Sequence, residues 1–486
     1  MYLGIDIGSQ SVKALVVDGS LTPRGQGSVP LTLSTRPGNV IEQDPQSWLD
    51  ALRTVIASAL GEAGVSAANI HGLGVGGQLD GCVPVNSTGA ALHPCLTWMD
   101  RRATREAGLM PEDVVRARCG IISDATHMAP KIAWLRDNRP DITRETTCFH
   151  QPVSFIVQHL TGAAVMDRAL ASTTMLYDLA QKDWADDLLA PFGVDRTRLP
   201  ALRGMEECAG VLTPSGADLT GLREGTRVAV GTGDDFTNAI GAGLLSPGAM
   251  LCQIGTGEVV GALHPTQVVD HQRLVETHDF GRGLFFIENP GWLSGGAISW
   301  LLNLLRLRGV EELNQLAASV PPGCEGVLFM PALTGAMAPE WNADVHACFH
   351  HLSAHHSAAH LARAVLEGTA FAMHDVQLRL TEMGVSFDSI RLAGGGASSK
   401  LWGQIRADVA QLPVQVCHVR DASPLGAAVL AAVAAGELET ISAAQPLLNR
   451  DSSWITPTSA QAPIYREAHR RYRDLFSHLK TLASGS

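Results

Sequence analysis

The sequence predicts an α/β protein made of two similar layered units. Three observations carry that prediction. Strand and helix signals alternate to about residue 245, the pattern of helices laid over a sheet. A strand, a Gly/Ser or Gly/Thr turn and a second strand occur at 2–18 and again at 249–261, which indicates a duplicated unit. The chain has 486 residues, more than one hydrophobic core usually holds, so two domains are expected. Turn-forming Ser246-Pro247-Gly248 sets their boundary, giving domains over 1–245 and 246–486.

The elements follow in order. Apolar residues on both sides of Gly8-Ser9-Gln10-Ser11 predict a β-hairpin. A helix is expected over 45–60, with Asp44 as N-cap and Pro45 at its first position. Residues 70–75 form a short apolar strand. The second half carries helical patterns at 296–307, 358–373, 399–411 and 425–435. An amphipathic, basic stretch at 465–482 predicts a helix capping the second domain.

Composition excludes several classes. Hydrophobic residues are 45% and charged residues 17% of the chain, the balance of a globular protein. The net charge is −12 with no run of Lys or Arg, so no nucleic-acid partner is expected. The longest apolar run, near 425–435, falls short of the ~20 residues that span a bilayer, and no membrane association is expected. Residues 1–6 carry no basic segment ahead of the apolar run, so no signal peptide is expected. Nine scattered cysteines without a Cys-x-x-Cys pair predict reduced thiols and a cytoplasmic location.

Certain residues have the chemistry to bind phosphate and move a proton. Glycine and small hydroxyl residues let backbone N–H groups approach a phosphate chain. Gly8-Ser9-Gln10-Ser11 and Gly255-Thr256-Gly257 both have that composition, although plain hairpin turns use the same residues. Asp6 sits inside the first apolar strand, where a carboxylate is costly unless a cation or turn amides meet it; magnesium on phosphates is one such cation. Gly233-Asp234-Asp235 follows a strand at 227–230 and opens a small-residue helix. Asp234 or Asp235 could take the proton of an attacking hydroxyl, or serve only as a helix N-cap. Gly394-Gly395-Gly396 also follows a strand and opens a helix. Neither a dinucleotide fingerprint nor a P-loop is present. Histidines 346, 350, 351, 355, 356 and 360 have partial helical spacing, but no carboxylate or cysteine accompanies them in a ligand pattern. They read as surface or packing residues.

Taken in order, these segments resemble the FGGY carbohydrate kinases along essentially the whole chain, most closely the xylulokinase branch. Gly4-Ile5-Asp6-Ile7-Gly8-Ser9 resembles the first phosphate motif. Glu42-Gln43-Asp44-Pro45 with Trp48 resembles a segment typical of xylulokinases, Gly77-Gln78-Leu79-Asp80-Gly81 the family's sugar-contacting segment, Trp98-Met99-Asp100-Arg101-Arg102 the W-x-D-x-R motif that follows it, and Ala129-Pro130-Lys131 with Trp134 part of the first family signature. Gly255-Thr256-Gly257, Gly295-Gly296-Ala297-Ile298-Ser299 and Gly394-Gly395-Gly396-Ala397 are similar to nucleotide-side segments.

The resemblance implies two actin-like (ribonuclease H-like) α/β domains with ATP and a sugar in the cleft between them. It implies Asp234 as base, and Asp6 with Asp234 near magnesium. Gln78, Leu79, Asp80, Trp98, Asp100, Arg102, Asp234 and Asp235 would meet the sugar. Gly8, Ser9, Gln10, Lys13, Gly255, Thr256, Gly257, Gly295, Ser299, Gly395, Gly396 and Lys400 would meet ATP. Relatives are commonly homodimers.

The sequence also departs from the xylulokinase pattern. Leu79-Asp80 replaces Met-His, Gly335-Ala336-Met337 lacks the usual Glu-Arg, and His346 and His351 stand at a usual arginine and glycine. A ketopentose such as xylulose heads the candidate acceptors; ribulose, erythritol, erythrulose and glycerol follow. A non-catalytic actin-like ATP or sugar sensor is the contrasting class, and it would have no need of a base at Asp234.

Overall fold

The computed structural model describes residues 1–417, 421–450 and 452–484. Apolar alternation on either side of the Gly8–Gln10 turn forms β1 (Tyr2–Ile7) and β2 (Ser11–Val17), antiparallel, with Asp6 opposite Lys13. β3 (Pro23–Pro30) extends the meander on β2. Helix α1 (Pro45–Ala63) begins as expected: the Asp44 carboxylate accepts the Gln46 N–H, and Pro45 fills the first turn. It continues past 60 until Gly64, whose φ of 66° only glycine adopts at low cost. β4 (Gly72–Gly77) lies two residues beyond the expected strand and runs parallel to β1. Helix α2 (Met128–Asn138) follows. The sheet is completed by β5 (Cys208–Val211), β6 (Arg227–Ala229) and β7 (Thr232–Gly233). Its order is β5-β6-β4-β1-β2-β3, with β7 also on β4.

The second half repeats this plan. β8 (Gly248–Ile254) and β9 (Gly257–His264) make the second hairpin. β10 (Glu276–Gly281) and β11 (Leu284–Leu293) continue the antiparallel part; β12 (Phe387–Ala393) and β13 (Val414–Val416) add in parallel, and β14 (Ser453–Ile455) closes the edge. The orders β3-β2-β1-β4-β6 and β11-β9-β8-β12-β13 match strand for strand. Each has two antiparallel neighbours, then two parallel ones. This is the duplication that the paired hairpins predicted.

The helices are α3 (Asp234–Gly241), α4 (Gly295–Leu305), α5 (Ala358–Glu382), α6 (Lys400–Ala410), α7 (Ala422–Ala434) and α8 (Ala462–Ala483). α5 outruns its expected end at 373 because polar His374-Asp375 interrupts the apolar pattern there. In the fold Asp375 is buried, and its carboxylate lies 2.9 Å from His469 Nε2 of α8.

Each sheet has its own apolar core, and a third cluster joins them through Phe236, Ile240, Leu425 and Val429 of α3 and α7. Although α7 comes from the second half, it lies on the first sheet. Glycines permit that approach: a Cβ on Gly4 would stand 1.8 Å from the Pro424 oxygen, and one on Gly74 1.9 Å from the Ala427 oxygen. All nine cysteines are unpaired. Among the described residues, no helix is long and apolar enough to cross a membrane.

Candidate active site

Three strands of the first sheet end level with one another. Asp6 pairs with Gly76 and Gly76 with Thr232; Ile7 pairs with Gly77 and Gly77 with Gly233. Asp6, Gln78 and Asp234 therefore emerge along one carboxyl edge, where open α/β sheets place their ligands. A Cβ on Gly233 would lie 2.1 Å from the Leu79 side chain, so any larger residue there would displace Leu79.

Asp6 accepts a hydrogen bond of 3.0 Å from Ser423 Oγ at the start of α7, and burial raises its pKa. Opposite it, Lys13 Nζ lies 2.5 Å from Asp421. Asp234 is the first residue of α3. Burial, then the charges of Asp235 and Asp6, hold its carboxyl well above the usual carboxylate range. Burial and then Asp80 push Asp235 up to about 7.

The Gln78–Asp80 segment is fixed from several sides. Gln43 Oε1 accepts from Gln78 Nε2 at 2.8 Å and from Trp48 Nε1 at 3.0 Å, while Gln43 Nε2 donates to the Ser9 carbonyl at 2.9 Å. Gln43 thus ties the first glycine turn to the Gln78 segment. Asp80 has φ 58°. Gln151 accepts its N–H at 2.7 Å, Lys131 donates to its carbonyl at 2.6 Å, and His127 Nδ1 lies 3.3 Å from its carboxylate.

A second wall comes from the other half of the chain. Glu276 and His278 of β10 and Glu288 of β11 are all buried. The Ile122 N–H donates to Glu276 Oε1 at 2.9 Å, and His278 Nε2 lies 3.5 Å from Glu288 Oε1. Burial pushes Glu276 up to about 7 and His278 down to about 3. Burial, then Asp235, Glu276, Asp234 and Asp80, raise Glu288 well above its ordinary value. Sequence reasoning missed all three, and His127 with them. The signal was available: a carboxylate inside an apolar strand, the same clue that singled out Asp6.

Asp100 and Arg102 are brought to each other. Arg102 Nε and Nη2 lie 2.9 and 2.6 Å from the two Asp100 oxygens, and Nη2 also reaches Glu42 at 2.8 Å. Asp100 is fully buried and takes the Ile41 N–H as well. The Arg102 guanidinium lies over Trp134, 4.8 Å from the ring centre. Trp98 stands 45% exposed beside this lock.

On the nucleotide side, the Gly255–Gly257 turn leans on the start of α4: the Gly296 N–H donates to the Thr256 carbonyl at 2.9 Å, and a Cβ on Gly295 would stand 2.2 Å from the Gly255 oxygen. Ser299 is exposed on the first turns of that helix. Gly394 and Gly396 pack on Ile254, just before the turn, while Gly395 faces open space and Lys400 is exposed. Glu258, next in the chain, is locked to buried Arg406 (Nη2 to Oε2 2.7 Å), which anchors the turn.

The sequence showed no carboxylate in a ligand pattern with the histidine run, but the fold brings one there. Glu325, His356 and His360 bring ligand atoms within 4.8 Å of one another. Yet His356 Nδ1 accepts the Ser353 N–H and His360 Nδ1 the Ser357 N–H. The neutral rings then carry their protons on Nε2, where a metal would have to bind. His360, with Ser357, instead forms the capping box of α5.

Residues 1–241 match the model of the FGGY family of carbohydrate kinases, N-terminal domain, and residues 250–435 match that of the C-terminal domain. A xylulose kinase of Bacillus subtilis is 26% identical over 99% of this chain and 97% of its own length. A glycerol kinase of Citrifermentans bemidjiense is 32% identical over 92% and 93%. The crystal structure of xylulose kinase from Rhodospirillum rubrum superposes with a TM-score of 0.89 at 29% identity, covering 99% of both chains.

Proposed function

From the premise that the chain belongs to the FGGY family of carbohydrate kinases, we propose that it transfers the γ-phosphate of ATP to a hydroxyl of a small ketose, with xylulose the first candidate. The carrying observation is the shared edge at which Asp6, Gln78 and Asp234 leave three adjacent strands. The proposal divides the chain at 245/246 into a sugar-binding and a nucleotide-binding part.

In this reading the acceptor hydroxyl gives its proton to Asp234 and attacks the γ-phosphorus in line. A carboxylate raised by burial and like charge is a better base near neutral pH than an exposed aspartate. Backbone N–H groups at Gly8–Gln10 and Gly255–Gly257 position the phosphates, as expected of tight turns. Gln78, Asp80 and Asp235 orient the sugar, with Trp98 at its rim. Asp100 and Arg102, occupied with each other, hold the loop that carries Trp98. Exclusion of water as the cleft closes keeps the phosphoryl group for the sugar.

Magnesium suits the donor set. Asp6 and Asp234 are hard oxygen donors, the charge of Asp6 helps to raise the Asp234 pKa, and Lys13, opposite Asp6, is engaged by Asp421. These two carboxylates would hold the ion, which would offset phosphate charge.

The test is coupled ADP release over xylulose, ribulose, erythritol, erythrulose and glycerol. Acceptor-dependent release with a ketopentose preferred is expected. No release with any acceptor would overturn the reading.

A further inference from the structure

The partners of one buried glutamine decide which way a second one faces. Gln43 and Gln78 are both buried. A glutamine amide has a carbonyl end that accepts and an NH2 end that donates, so neighbours of fixed kind settle its orientation. Gln43, just ahead of α1, has two of them. The Trp48 indole can only donate, and it faces Oε1 at 3.0 Å; the Ser9 carbonyl can only accept, and it faces Nε2 at 2.9 Å. Gln43 Oε1 in turn accepts from Gln78 Nε2 at 2.8 Å. Turning the Gln78 amide over would set two carbonyl oxygens against each other. Gln78 therefore keeps its Oε1 away from Gln43, where the atom is buried and, among the described residues, has no hydrogen-bond partner. Its strand, β4, ends between Ile7 and Gly233, and the Gln78 N–H is spent on the Ile7 carbonyl at 2.9 Å. A buried acceptor left unmet at that edge is costly and calls for a donor from a ligand.

We propose that Gln43 is a positioning residue for the acceptor: held by Trp48 and Ser9, it fixes the Gln78 amide so that Gln78 offers an oxygen, and not an N–H, to a hydroxyl of the substrate. The inference rests on the kinase reading above. In that reading the attacking hydroxyl gives its proton to Asp234, so the hydroxyl that meets Gln78 is another one. The direction of the preference comes from the indole of Trp48, which has no acceptor to offer. A hydroxyl can donate to the Gln78 oxygen; a fluorine in its place has no hydrogen to give. Specificity follows, because a site built to bond a substrate hydroxyl rejects the analogue that leaves its buried group unpaired. The Gln43 amide also holds the Ser9 carbonyl, but only its Oε1 bears on Gln78.

The experiment measures the acceptor KM by coupled ADP release, with the best acceptor from the screen. Gln43→Met and Gln43→Glu both lose the amide N–H that meets Ser9, but only the glutamate keeps a strong acceptor for Trp48 and Gln78. The acceptor KM should rise by about tenfold in Gln43→Met and stay within about twofold of the parent in Gln43→Glu. In a Gln78→Met background, Gln43→Met should raise the acceptor KM no further, a coupling that a purely structural defect would not give. Equal rises in the Met and Glu variants, or additive rises in the double variant, would overturn the inference while leaving the kinase reading intact. Should the methionine variants not fold, thermal shifts of the unaltered protein decide, using analogues of the acceptor in which fluorine replaces one non-reacting hydroxyl. Stabilisation lost at one such position supports the inference, and equal stabilisation by every analogue overturns it. No ADP release with any acceptor would instead sink the kinase reading itself.

Discussion

His127 Nδ1 lies 3.3 Å from Asp80 Oδ1, and the Nε2 of the same ring lies 2.9 Å from the Ile122 carbonyl oxygen. Both ring nitrogens therefore face acceptors, an arrangement that suits the imidazolium form. Burial opposes the charge, but Asp80, joined by Glu276 and Asp124, more than offsets it and lifts the pKa from 6.5 to about 9. In the unfolded chain the ring loses its proton near 6.5. Its stabilisation is thus complete below about 6.5, fades as pH rises, and is gone above about 9. The shift corresponds to about 3 kcal/mol at most. The thermal midpoint should fall between about pH 7 and about pH 9.5, and it should fall less in His127→Gln. Equal slopes would remove the pair from this role.

Asp234→Asn should reduce turnover by about 10²- to 10⁴-fold with ATP binding retained. The same change should raise stability. Asp234 is crowded by Asp235 and Asp6, and a carboxyl with a raised folded pKa weakens the fold as pH rises past its unfolded value. The variant's thermal midpoint should therefore exceed that of the parent above pH 5 or so, by an amount that grows with pH (~1 kcal/mol scale). Near-normal turnover would exclude Asp234 as the base.

Arg102→Lys should lower unfolding free energy by about 3 kcal/mol, since a lysine cannot satisfy two carboxylates and a ring face at once. It would leave buried Asp100 without its two-pronged donor and Glu42 with Arg36 as its remaining guanidinium. Urea denaturation checks this. If Arg102 instead served chiefly to grip the sugar, the acceptor KM would move and the denaturation midpoint would not.

The strand plan was legible because apolar runs and glycine turns report local geometry, and both hairpins and α1 fall where the sequence set them. Asp6 and Asp234 were legible for the same reason: each is a carboxylate placed against an apolar strand. What the sequence concealed is contact between distant segments. Nothing near Leu425 says that α7 crosses back onto the first sheet, because its apolar pattern runs all round the helix. Nothing near Asp100 says that its carboxylate is already taken by Arg102. Glu276, His278 and Glu288 lay in plain view in apolar strands, but only the tertiary fold brings them beside Asp235, which stands on the other half of the chain.

That crossing of α7 gives the sharpest test of how the two halves depend on each other. A Cβ on Gly426 would lie 1.9 Å from the Thr237 oxygen and 2.7 Å from its carbonyl carbon. Both are backbone atoms of α3, so no rotamer change relieves the clash. Gly426→Ala must push α3 and α7 apart, at a cost of about 2–3 kcal/mol. Because Asp234 is the first residue of α3, the shift also reaches the proposed base, and a displacement of about 1 Å there can cost on the order of 100-fold in rate. Gly61, exposed inside α1, has no atom within 4 Å of its would-be Cβ. The same substitution there should stabilise by about 0.5–1 kcal/mol, by restricting the unfolded chain and improving helix propensity. Denaturation and turnover of the two variants side by side separate a packing clash from a general intolerance of alanine. If Gly426→Ala proved as stable and active as Gly61→Ala, the close seating of α7 on α3 could not be what couples the halves.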